Sequence, residues 1–348
     1  MVRALAVSAL LLVGCSDDAP PTGGAGGAGA GEGGAGGSQS TSSGGSSVGA
    51  GGVGVASAGG GGTSAGGGGV GGEAGFTLEV HTSLDGAVLV LETNLPSSPE
   101  ACALVNGAPC ADADQDGLVD AWEDVVLDRL RPTLVLDEEE QLVSDATAMT
   151  GIVGRVAPVD GRVHVYMMLG YSKDYGSCGG FTSHNGDSER VVVALEHDPA
   201  RGPGGARLSA AYTAAHEGTI TDHGRVFEGA DLAELSYEVD PALLEPRWVV
   251  FPSANKHATY ASIAICEGIS VVPCFDEDCG PDRVADPDDF ALLMPFVNVG
   301  EESFPFVTEL TVIGFPGDQA WVDQDFCGGL GGSGCSSAVR EKLLVSPF

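Results

Sequence analysis

The sequence predicts an all-β fold: a disulfide-stapled antiparallel β-sandwich with one short helix behind an acidic, calcium-type loop. Three observations carry this. Apolar residues alternate with polar ones in short runs across residues 76–348, with turn residues between the runs. Helical periodicity is confined to one stretch, where Leu118, Trp122, Val125, Val126 and Leu130 recur at three- and four-residue steps until Pro132 stops them. Nine cysteines less Cys15 leave an even set, as an exported, disulfide-bonded domain requires.

The chain opens MVRALAVSALLLVGCSDD, with Arg3 ahead of a mostly apolar run that is too short to span a bilayer as a helix. Leu12-Val13-Gly14-Cys15 resembles the lipobox of bacterial lipoproteins, which implies cleavage before Cys15 and a lipid on that cysteine. The alternative is an ordinary secretory signal cleaved elsewhere. Residues 1–15 are thus expected to be a signal peptide with its lipobox cysteine, and 16–75 a tether. That tether is almost entirely Gly, Ala, Ser and Thr from residue 20 onward, too poor in apolar surface to offset its ordering entropy. A Gly-rich tether of roughly 55 residues spans on the order of 40 Å. The expected location is the bacterial cell envelope, as an outer-membrane-anchored or surface-exposed lipoprotein.

The formal net charge is −34. So acidic a surface repels phosphate backbones, which excludes nucleic acid as a partner, and it is compatible with calcium or cationic partners.

Residues 76–348 suffice for one large domain or two small ones; one β-sandwich domain is expected. FTLEVHT and GAVLVLET read as a hairpin across SLDG, and GIVGRVAP with GRVHVYMMLGYS as another across VD. RVVVALEH, ARLSAAYTAA, AELSYEV, RWVVFPS and PFVTELTVIG add further strands. The disulfide candidates are Cys102, Cys110, Cys178, Cys266, Cys274, Cys279, Cys327 and Cys335. Eight cysteines allow 105 pairings; short loops favour Cys102–Cys110, Cys274–Cys279 and Cys327–Cys335, leaving Cys178–Cys266.

Residues 112–123, DADQDGLVDAWE, spell the D-x-D-x-D-G-x5-E pattern of an EF-hand-like calcium loop. Calcium is a hard cation that takes six to eight oxygens. Asp112, Asp114 and Asp116 supply carboxylates, Leu118 a backbone carbonyl, Asp120 the ninth position and Glu123 a bidentate carboxylate at the twelfth. Gly117 allows the sharp turn. The segment entering the loop has no helical period and is expected to be pinned by Cys102–Cys110. The loop resembles those of dockerin-like and thrombospondin-type repeats, which implies a structural staple rather than a sensor.

A second cluster is HNGDSE, residues 184–189, with His184 expected in a Gly-rich turn and Asp187 and Glu189 entering a strand. Residues two apart share a strand face, so the two carboxylates stand about 6–7 Å apart and can share a second divalent cation. Arg190 points the other way. His257 and Tyr260 follow the strand RWVVFPS. Arg131, Pro132 and Leu134, the H-x-G-D-x-E run and the K-H-A-x-Y run at 256–260 together resemble a β-sandwich superfamily. It comprises the necrosis- and ethylene-inducing-like secreted cytolysins and the related vacuolar-sorting-associated proteins. The resemblance implies that Asp187 and Glu189 match an acidic, cation-holding pair, with His184 and His257 as further ligands. Ser188 stands where both groups carry tryptophan, and the cytolysins' first histidine-arginine pair is absent.

Three functions remain open. The first is a calcium-binding surface lipoprotein acting as a non-catalytic recognition or structural module, with a glycan, lipid headgroup or protein as ligand and the membrane as partner through its lipid anchor. The second is a metal-dependent hydrolase using the HNGDSE cluster, and the third a cytolysin-like membrane-active effector. HEGTITDH at 216–223 is not H-E-x-x-H, because Ile220 takes the second ligand's place, and no G-x-S-x-G elbow occurs. Serine 253 opens an S-x-x-K run without S-D-N or K-T-G. No catalytic residue is assigned.

Overall fold

The computed structural model describes residues 76–141, 149–176, 183–218, 222–268, 277–280 and 339–348, with strand pieces at 283–285, 297–298, 326–328 and 334–336. The signal and Cys15, the tether, Cys178, Cys274 and the expected strand at 305–314 lie outside them.

The first hairpin pairs β1 (Val80–Asp85) with β2 (Val88–Thr93) from Val80↔Thr93 to Asp85↔Val88. It turns at Gly86, whose φ of 66° is left-handed, so the turn is tighter than expected and the strand takes in Ser83–Asp85. A short strand, β3 (Thr133–Leu136), follows Pro132. The second hairpin joins β4 (Met149–Val159) to β5 (Arg162–Asp174). Asp160 and Gly161 have φ of 50° and 83°, the two left-handed residues of a hairpin turn that matches strand twist. β6 (His184–His197), β7 (Ala206–Thr213) and β8 (Arg225–Glu228) extend the same sheet, which ends on β13 (Val297–Asn298) beside β4.

A smaller sheet gathers β3 with β9 (Ser236–Val239), β10 (Pro246–Pro252), β11 (Thr259–Tyr260) and β12 (Arg283–Ala285). Pairing is antiparallel except between β3 and β10 and between β4 and β13. A third ribbon pairs β14 (Phe326–Gly328) with β15 (Gly334–Ser336) and sets Cys327 opposite Cys335 in register. It lies against β6.

Four short helices are described: α1 (Pro99–Cys102), α2 (Asp120–Leu130), α3 (Ile263–Glu267) and α4 (Val339–Leu344). The expected helix is α2, starting at Asp120 after Val119, which is in extended conformation and makes no side-chain capping hydrogen bond. Among the described residues no helix is long and apolar enough to cross a membrane.

Alternation builds the core. Val165, Met167, Leu169 and Tyr171 of β5 meet Val191, Val193 and Leu195 of β6, Leu134 and Leu136 of β3, and Trp248 and Val250 of β10. Trp122, Val126, Leu127 and Leu130 of α2 fill the same cluster. Each such side chain stabilises the fold by about 1.5–3 kcal/mol on burial.

Cys102–Cys110 is bonded as expected, but Cys266 bonds Cys279. This overturns Cys274–Cys279 and Cys178–Cys266. Loop length was a poor guide because packing decides: both sulfurs sit in a buried cluster with Ala258 and Tyr260, beside β10 and α3.

Candidate functional site

In the loop at 112–123, ligand atoms of Asp112, Asp114 and Asp116 all lie within 4.8 Å of one another, and so do those of Asp114, Asp120 and Glu123. The backbone winds so through Gln115 and Gly117, with φ of 63° and 95°. Backbone N–H groups fix one oxygen of several carboxylates. Gly117 donates to Asp112 Oδ2 at 3.2 Å, Leu118 to Asp116 Oδ1 at 2.8 Å and Ala113 to Asp120 Oδ1 at 2.9 Å. Asp112 Oδ1 and Asp116 Oδ2 are buried without a hydrogen-bond partner. Burial raises the pKa of Asp114 and Asp116 against a backbone hydrogen bond, and the neighbouring carboxylates add to the rise. Orphaned oxygens inside a converging carboxylate set suit a hard cation. This acidic cluster can hold a metal ion. Leu118 buries its side chain in the core, and Glu123 is buried.

The second cluster lies inside the sandwich. HNGDSE is not a turn: β6 begins at His184, whose backbone pairs with Asp174 because β5 extends far enough to receive it. The His184 side chain lies outside the described residues. Asp187 and Glu189 are in phase with Val191 and Val193, so both face the core. His257 is brought to them from the turn after β10. Its Nδ1 is 3.1 Å from Asp187 Oδ2, its Nε2 is 3.6 Å from Glu140 Oε2, and its ring stacks on Tyr171 at 4.0 Å. Asp187, Glu189 and His257 are 3%, 3% and 0% exposed.

Burial opposes charge on His257, but hydrogen bonds to Asp187 and Glu140 outweigh it and push the pKa up to about 10. Glu189 is raised to about 7 by burial, against the pull of the Lys342 ammonium and with Asp187 adding to the rise. Alongside, Glu277 Oε1 binds His216 Nε2 at 2.9 Å and Lys256 Nζ at 3.3 Å. These cations overcome the burial of Glu277 and hold it at about 2. His216 is raised in turn: burial works against its charge, and Glu277 outweighs burial.

Three non-glycine residues of this region, His216, Asn255 and His257, have φ of 56°, 65° and 61°. Such backbone costs about 1–3 kcal/mol per residue and persists where surroundings over-determine it. Here they do: Asn255 N donates to Glu140 Oε2 at 2.6 Å, Gln141 N to Asn255 Oδ1 at 3.1 Å and Tyr175 N to Asn255 O at 2.9 Å.

Sequence reasoning paired Asp187 and His257 in one site but missed Glu140, Tyr171, Glu277 and Lys342. The dismissed HEGTITDH run holds one signal, since its His216 and Glu217 both enter half-buried ion pairs. Arg190 points away, as expected, and binds Glu217 through Nε at 2.9 Å.

No family model matches the chain. Solved structures of the necrosis- and ethylene-inducing type match part of it. One, described as a toxin fold for microbial attack and plant defense, aligns at 17% identity over 37% of this chain and 62% of its own, with a TM-score of 0.26. NLPPya in complex with glucosamine aligns at 16% identity over 46% of this chain and 67% of its own, with a TM-score of 0.27. Necrosis and Ethylene inducing Protein 2, from the causal agent of cocoa's Witches Broom disease, aligns at 13% over 39% and 67%, with a TM-score of 0.25. The chain thus spans less than two thirds of the first of these. The likeness is distant and concerns fold alone.

Proposed function

We propose that this chain is a non-catalytic recognition module, held to a bacterial cell envelope by a lipid on Cys15 and by the Gly-rich tether. Calcium bound at 112–123 staples its helix to its sandwich. The observation that carries the staple is the pair of overlapping carboxylate sets that share Asp114, with Asp112 Oδ1 and Asp116 Oδ2 buried and unbonded. The helix α2 begins inside this loop at Asp120 and sends Trp122 and Val126 into the core, so an ion here fixes where the helix starts. The Cys102–Cys110 bridge fixes the entering segment. Burial of Asp187, Glu189 and His257 supports a non-catalytic reading, because a substrate has no direct approach to them. The ligand is a surface glycan, lipid headgroup or protein.

Thermal melting of the full chain in calcium and in chelator tests the staple. An ion present at about 100 times its Kd stabilises by about 2.7 kcal/mol, or roughly 5–10 °C for a domain this size. Glu123→Gln should lose most of that in calcium and little in chelator; equal losses in both reject the staple. Cys15→Ser should move the protein from the membrane fraction to the soluble one, and retention in the membrane rejects the anchor.

A further inference from the structure

The turn between β9 and β10 thrusts apolar side chains into solvent. Val239, Leu243 and Leu244 are 64%, 39% and 78% exposed, and Pro241 and Ala242 between them are exposed as well. Bonds hold the turn at both ends. Leu244 N donates to Asp240 O and Asp240 N to Glu245 O, both at 2.8 Å. Asp240 Oδ1 accepts from Ala242 N at 2.8 Å and Leu243 N at 3.0 Å, while its Oδ2 pairs with Arg247 Nη2 at 2.8 Å. Glu245 accepts from Thr82 N of β1 at 2.9 Å and pairs with Arg129 at 3.4 Å.

Leu244 has a φ of 57°, in the left-handed region that glycine and asparagine adopt readily and a bulky side chain does not. Its side chain buries little, so packing within the fold does not explain a leucine there. Strain kept at an exposed apolar residue suits a contact outside the fold. The turn also carries no net charge to a partner: both its carboxylates are paired, and no lysine or arginine lies between Arg225 and Arg247. Leu78, two residues after the described chain begins, lines a hollow with His81 and Arg129, the two side chains that pair with Glu245. Residues 1–75 therefore join the domain beside the base of this turn.

We propose that the turn at 239–244 is a membrane-contacting knuckle, whose Leu243 and Leu244 enter a zwitterionic lipid surface and orient the domain on it. This rests on the reading that Cys15 carries a lipid. A few apolar side chains hold a bilayer only weakly by themselves, and an anchor that keeps the surface close makes such a contact effective. Charge selects the lipid. A chain of net charge −34 is repelled by anionic headgroups, and the turn has no basic residue to offset this.

Fluorescence quenching on the full, anchored chain decides it. In phosphatidylcholine vesicles containing a brominated analogue, the emission added by Leu244→Trp should be quenched. That added by Leu104→Trp, at a position 87% exposed after α1, should not. The unsubstituted chain corrects for its own tryptophans. Equal quenching at both positions, or none at 244, overturns the proposal. Leu244→Asn should leave the melting temperature unchanged or raised, because asparagine tolerates this φ. In the Cys15→Ser chain it should still lower partition into phosphatidylcholine vesicles about tenfold; unchanged partition overturns the proposal. A Leu244-dependent dimer in sedimentation, with no quenching, assigns the knuckle to a second copy of this chain and overturns the lipid contact. Failure of the anchor reads differently: the unsubstituted chain then washes off vesicles as Cys15→Ser does, while partition of Cys15→Ser still depends on Leu244.

Discussion

The Tyr171 ring lies flat on the His257 imidazole, centroids 4.0 Å apart and planes 10° from parallel. Tyr171 belongs to β5 and His257 to the turn between β10 and β11, so this stack joins the larger sheet to the smaller one. The Tyr171 hydroxyl is buried without a hydrogen-bond partner. Removing an orphaned polar atom costs little, whereas removing the ring opens a cavity. Tyr171→Phe should therefore change stability by less than about 1 kcal/mol, and Tyr171→Ala should cost about 3–5 kcal/mol. Urea unfolding measures both; a Tyr171→Phe loss as large as the Tyr171→Ala loss would show that the hydroxyl, not the stack, matters.

Stability should peak in mildly acid solution. His257, raised from 6.5 to about 10, contributes stability that is complete below 6.5 and lost as pH rises through about 10. Glu189, raised from 4.5 to about 7, contributes in the same sense, complete below 4.5 and lost through about 7. Glu277 runs the other way: lowered from 4.5 to about 2, its contribution is present above 4.5 and lost as pH falls through about 2. The melting temperature should thus fall from pH 6 to pH 10, and His257→Gln should flatten that slope while lowering the value at pH 6. A wild-type profile flat over that range contradicts the assignment.

Period-two runs made most of the large sheet legible, because Val, Met and Leu at alternate positions in GRVHVYMMLG and RVVVALEH leave one core face available. The acidic loop was legible because its ligands are local. The buried network was not, since Glu140, Tyr171, His216, Glu277 and Lys342 arrive from distant segments and no short pattern links them. Asp187 and Glu189 misled for a related reason. Their spacing puts them on one strand face, as found, but suggests a pair free to share a cation, and His184 reads as a turn although pairing with β5 carries the strand through it.

The Cys266–Cys279 bond ties α3 to the segment that carries Glu277. Peptide mapping without reduction should recover Cys266 linked to Cys279, and a Cys274–Cys279 peptide would refute the packing. Cross-linking a loop of this size stabilises by about 3 kcal/mol. Replacing both cysteines by alanine should cost about that, and should shift His216 toward ordinary titration, followed by NMR, as Glu277 loses its anchor.

Trp122 Nε1 donates to the Gly204 carbonyl at 2.9 Å, which joins the helix that begins in the acidic loop to the turn before β7. A Cβ on Gly204 would collide with the Leu95 carbonyl and the Trp122 indole, one of them backbone. Backbone cannot move aside as a flexible side chain can, so Gly204→Ala should cost about 1–3 kcal/mol or more. Trp122→Phe keeps an aromatic ring in the core but leaves the Gly204 carbonyl unbonded, at about 1–3 kcal/mol. If helix and calcium loop act as one unit, Gly204→Ala should also weaken calcium binding, because the helix carries Asp120 and Glu123. Calcium titration calorimetry reads the affinity and urea unfolding the stability: weakened affinity with the fold intact supports the coupling, and unchanged affinity with lowered stability separates helix packing from ion binding.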